Sequence, residues 1–144
     1  MPELETMIND RVHDYYWNMD MNCASTTLKI LSEIFMISLN RQVKDAATGM
    51  HGAGQYGAQC GLVEGALMFI GIIGRAKQIP DQQIIALCRD YARQFEARFH
   101  SLICRELRPR GFNPDNPPHL CEPLTRTAIR FDIHFISDAL HIRI

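Results

Sequence analysis

The sequence predicts an all-α fold, a single-domain helical bundle of about five helices with one glycine-rich loop and one proline-rich loop. Three observations predict it. Apolar residues recur at helical spacing almost everywhere, and no segment alternates convincingly in the manner of a strand. A length of 144 residues, with 47% hydrophobic and 22% charged content, suits one compact core extending over residues 1–144.

The first stripe, Leu4, Met7/Ile8, Val12, Tyr15/Tyr16 and Met19, predicts one amphipathic helix, and Leu28, Leu31, Ile34/Phe35 and Leu39 predict a second. The polar segment 41–48 reads as a short helix and its end. The uncharged run GALMFIGIIG, bracketed by Glu64 and Arg75, is about half of the roughly 20 residues a membrane span needs, so it reads as a buried helix starting near Cys60. After Pro80-Asp81 the face carrying Ile84, Leu87/Cys88, Tyr91/Ala92, Phe95, Phe99 and Leu102 marks a long fourth helix. Leu124, Ala128, Phe131, Phe135 and Leu140 mark the last one, behind Pro123.

Charge narrows the classes of function. With 15 Lys+Arg against 16 Asp+Glu the net charge is −1, which leaves no global positive field for nucleic acid. The first residues lack a basic stretch leading into an apolar one, so a cytoplasmic, reducing location is expected, without a secretory signal.

Eight of nine glycines lie between positions 49 and 74, and five of seven prolines between 109 and 123. Gly52-Ala53-Gly54-Gln55-Tyr56-Gly57 spells GxGxxG, but no buried strand precedes it, so a nucleotide-binding reading fails and no nucleotide is expected. A flexible loop feeding a helix is the better account, with Gly57, Gly61 and Gly65 at four-residue spacing making a flat face for tight packing in the core or in a homodimer. Alternatively the loop, through Gly54, Gly57 and Gly61, approaches a bound cofactor.

Five cysteines are many for a cytosolic domain and few for a disulfide scaffold. None forms a CxxC pair, so a zinc finger or ribbon is unsupported, and no CxxCH haem motif occurs. Cys23, Cys60 and Cys121 fall at expected helix starts, where the macrodipole and free amides should lower a thiol pKa. Cys104 is expected at the end of the fourth helix, beside Arg105, whose charge favours the thiolate as well. Cys88 sits within an apolar stripe and reads as a small buried hydrophobe.

Asn22-Cys23-Ala24, the glycine loop leading to Cys60-Gly61-Leu62-Val63-Glu64-Gly65-Ala66-Leu67, Cys104-Arg105-Glu106-Leu107 and then Cys121 stand in an order that resembles the redox-active family named for its pattern C_GCAxxG_C_C. The resemblance spans residues 22–128, and its specificity lies in the combination of short strings. Leu62 departs from it, standing where the family has a small alanine after Cys-Gly. The chain is also similar to the cysteine-bearing part of split-Soret cytochromes, although their haem motif does not carry over. The resemblance implies that Cys23, Cys60, Cys104 and Cys121 converge in an all-helical domain as redox thiols or metal ligands.

Among the six histidines, His13, His100, His134 and His141 lie on expected helices and are assigned no role; His119, two residues before Cys121, and His51, beside the glycine loop, are candidates to join the site. Glu64 and Glu122 read as charges complementing helix starts. Three functions follow in order. The first is electron transfer through an iron–sulfur cluster or another thiophilic metal such as zinc, with a redox partner protein. The second is thiol–disulfide exchange or sensing by the same four residues, and the third a helical dimerisation domain with packed cysteines. No hydrolase triad or phosphate-binding lysine loop is present.

Overall fold

The computed structural model describes residues 2–144. Among them are eight helices and no strand: α1 (Pro2–Trp17), α2 (Cys23–Ile34), α3 (Arg41–Ala46), α4 (Gly52–Gln55), α5 (Gly61–Ala76), α6 (Asp81–Phe99), α7 (Cys104–Leu107) and α8 (Glu122–Leu140). The five long ones are the expected bundle, α3 is the short helix expected within 41–48, and α4 and α7 are added as single turns of four residues.

Helix α5 is the centre. Gly61, Leu62, Val63, Gly65, Ala66, Phe69, Ile70, Ile73 and Gly74 are all buried, which is why this segment carries no polar face. It lies closest to α2, and Gly65 explains the approach: a side-chain carbon there would stand 2.7 Å from the Ala24 carbonyl oxygen and 3.0 Å from Thr27 Cβ. The small-residue face is therefore occupied within the chain rather than offered to a second copy. Gly57 does not share it, since α5 begins four residues later.

Helix α2 ends at Ile34, earlier than the stripe reaching Leu39 suggested, because the chain turns at Met36 with φ 58°. Helices α6 and α8 meet through a ring cluster in which Phe95 lies 4.5 Å from Phe99 and Tyr91 5.4 Å from Phe135. Fully buried within this region is Asp132, on α8. It accepts from Tyr91 Oη at 2.5 Å through Oδ1, while its Oδ2 has no partner. Burial raises its pKa well above the ordinary carboxylate value, the response of a carboxyl without a cation. Cys88 is half-buried against the core and does not border the cavity described next.

Candidate functional site

Four separate segments end at one cavity of about 540 Å³, and each brings a cysteine to its wall: Cys23, Cys60, Cys104 and Cys121. Each segment has a local reason for its position. Asn22 caps α2 by accepting from the Ser25 amide at 2.8 Å, and its side-chain amide donates to the Thr48 and Ala47 carbonyls at 2.9 and 3.2 Å. Cys23, the next residue, is thereby held against the chain that follows α3.

Cys60 and Cys104 are brought together by a two-residue antiparallel bridge, Gln59 with Ile103. The Cys60 amide donates to the Leu102 carbonyl at 2.8 Å, and the Cys104 amide to the Ala58 carbonyl at 2.6 Å. Helix α6 stops at His100, which takes the left-handed conformation with φ 75°, so Cys104 does not end the long helix but opens α7. Cys121 immediately precedes α8, closing the proline-rich loop.

The glycines make room for sulfur. A carbon on Gly61 would collide with Cys23 Sγ and stand 3.0 Å from the His51 Cα, and one on Gly52 would lie 2.9 Å from Cys104 Sγ. Residues Gly52, Ala53, Gly54 and Gln55 all have φ between 55° and 70°, a left-handed turn in what reads as GxGxxG. Ala53 and Gln55 resist this conformation by about 1–2 kcal/mol each. Gly54 has open space around it, and Gly57 faces Arg105 and Phe112. Of the three glycines expected near a cofactor, Gly61 alone therefore touches a patterned cysteine.

All five cysteines are free thiols. The expectation of lowered thiol pKa values is overturned at each of the four. Burial raises Cys23 beyond the range of ordinary thiols, with the neighbouring Cys60, Cys121 and Cys104 adding to the effect. Cys60 is pushed up to about 12, chiefly by burial; the amides of Leu62 and Val63 oppose this, although the sulfur makes no capping hydrogen bond. Burial also raises Cys104 and Cys121, against the charge of Arg108 on both and of Arg105 on Cys104. Desolvation outweighs the helix ends here, so the resting thiols are neutral at pH 7.

Both candidate histidines border the cavity. His51 Nδ1 is buried without a hydrogen-bond partner. His119, with φ 61°, stacks on Tyr16 at 5.2 Å between centroids and meets Trp17 edge-on at 4.7 Å. Glu122, buried beside Cys121, accepts from Trp17 Nε1 at 2.7 Å and His13 Nδ1 at 3.0 Å and pairs with Arg126. These donors hold its pKa down against burial, and Glu122, which does not line the cavity, ties the start of α8 to α1.

Tyr16 and Arg108 also line the cavity, and the sequence reading missed both. Tyr16 was hidden in an apolar stripe and Arg108 in a loop with no periodicity. Among the described residues, no three His, Cys, Asp or Glu side chains come together closely enough to hold one metal ion.

A family model described as "Putative redox-active protein (C_GCAxxG_C_C)" matches residues 21–132. The chain belongs to this family. No curated protein and no solved structure matches it. The four cysteines on which the sequence resembles the family pattern all border the cavity, and the glycine after Cys60 is the one against which Cys23 packs. No helix among the described residues is long and apolar enough to cross a membrane.

Proposed function

We propose that this redox-active family member is an electron-transfer domain in which Cys23, Cys60, Cys104 and Cys121 hold an iron–sulfur cluster and serve a redox partner protein in a reducing cytoplasm. One observation carries the reading: four thiols from four distant segments border a single cavity. The donor set suits the group, being four soft sulfurs with one exposed carboxylate, Asp20, on the same wall. Gly52 and Gly61 leave the space that side chains would fill.

A single zinc needs its donors at about 2.0–2.3 Å from one point, whereas a cluster is held by thiolates spread around it. Among the described residues no three such donors converge on one point. When bound, such a cluster supplies one-electron redox chemistry. The chain's own part is electrostatic. The four thiols, Cys60 buried and the others half-buried, resist ionisation unless positive charge arrives, and Arg108 lowers that cost at Cys104 and Cys121. The Leu62 and Val63 amides do the same at Cys60.

Anaerobic purification followed by cluster reconstitution, iron and sulfide analysis and visible absorption tests the reading. Iron-dependent absorption lost in Cys60→Ser and Cys104→Ser supports it; a colourless, iron-free protein after reconstitution overturns it.

The Gln59–Ile103 bridge favours a second reading, a disulfide between Cys60 and Cys104. Its formation would release two protons and two electrons to a disulfide-bearing partner, which becomes a dithiol. Alkylation mapping before and after oxidation separates the two: a Cys60–Cys104 cross-link supports the second reading, and thiols free in both states exclude it.

A further inference from the structure

The thiol cavity has a second chemical wall. Arg108, half-buried, closes α7 and borders the cavity alongside Cys104 and Cys121. Its Nε donates to the Gly111 carbonyl at 2.9 Å and its guanidinium lies 4.8 Å from the Phe112 ring centroid, so the head group is fixed in direction. Its terminal Nη groups donate to no protein atom, and among the described residues no carboxylate pairs with it. Arg105, by contrast, spends its head group on the Gly57 and Tyr56 carbonyls, both at 3.2 Å.

Arg108 lies against the Phe112 ring, and the same cavity is lined by His119, stacked on Tyr16, and by His51, whose Nδ1 has no partner. A fixed arginine with free bidentate donors, set beside flat rings, is the usual means of recognising a planar anion. The volume, about 540 Å³, falls in the range of small-molecule sites.

We infer that the cavity binds a small anion of the carboxylate or oxyanion class, held by the Nη groups of Arg108 next to the thiols. Asp20, at the same cavity, is exposed and makes no ion pair with Arg108, so it leaves the guanidinium available. The inference does not depend on whether the sulfurs hold iron.

Isothermal titration at low ionic strength, with benzoate in one arm and nitrate in the other, tests it on the full chain before and after reconstitution. Saturable one-to-one binding is expected in at least one arm, the tighter probe telling a ring-bearing carboxylate from a bare oxyanion. R108Q should weaken it about tenfold or more, the loss of charged hydrogen bonds, whereas R110Q, an exposed arginine of the same loop, should stay within about twofold. No saturation by either probe, or equal losses in both variants, overturns the inference. Should R108Q fail to fold, amide shift mapping on the wild-type chain decides: perturbations centred on Arg108, Phe112 and His119 support the site, and perturbations elsewhere overturn it. A colourless protein that still binds the anion removes the cluster alone, and an iron-loaded protein that binds neither probe removes the anion alone.

Discussion

At Gly61, where α5 begins, the helix backbone is covered by the sulfur of Cys23; at Gly74, near its other end, it is covered by the hydrocarbon of Ile84, whose Cγ1 would lie 2.8 Å from an added carbon. The same device, a missing side chain, serves two purposes. At the far end a flexible aliphatic chain fills the gap, and the contact is packing only. At the near end the gap holds a thiol whose position decides what the cavity can do. A glycine in a buried helix is therefore informative through its neighbour rather than through itself.

Four measurements sharpen or break this contrast. The largest effect is on thiol reactivity. Cys60, with its pKa pushed from 9.0 to about 12, carries about a thousandfold less thiolate than an ordinary thiol at any pH below 9. Its alkylation in the native chain should be slower than in urea by that order, rising about tenfold per pH unit toward 12. The same shift makes folding stability fall as pH rises between 9 and about 12, because the unfolded chain releases that proton first. Equal rates in native and unfolded protein would break the burial argument.

Next comes Gly65→Ala, whose new carbon meets backbone atoms of α2 that cannot swing away. It should cost about 2–3 kcal/mol, read from denaturant midpoints. Gly61→Ala should cost about 1–2 kcal/mol and also displace Cys23, changing its alkylation rate relative to Cys88. Gly74→Ala should be the mildest, within about 1 kcal/mol, since Ile84 can turn and alanine favours helix. Its thiol rates should match the wild type; a change there would mean that the two ends of α5 are coupled.

The long helices were legible because an apolar stripe at helical spacing has few other ways to be buried. The last helix shows where this stops. The stripe that marks it includes Ala128 and Phe131, which are buried and half-buried, but not Asp132, a fully buried acid that no hydropathy pattern would place inside. The candidate site was legible in its sulfurs, through order and family pattern, but not in its geometry. The start of α7 at Cys104 depends on the left-handed His100 and on the bridge to Gln59, contacts with no local signature. Nor was the thiol chemistry legible: helix starts are visible in sequence, while the depth at which a start is buried depends on everything packed over it. No strand precedes the GxGxxG string, as its polar flank suggested, yet nothing in the string announced four consecutive left-handed residues.

The spread of the four sulfurs along the chain has a consequence for synthesis. Cys23 and Cys60 are made before the wall to which Cys121 belongs, and α8 must then dock on α1 and α2. Until that happens the first thiols have no enclosed cavity around them and react as ordinary exposed cysteines. The docking of α8 withdraws them from indiscriminate oxidants at the moment it assembles the set, so protection and assembly are a single event of maturation.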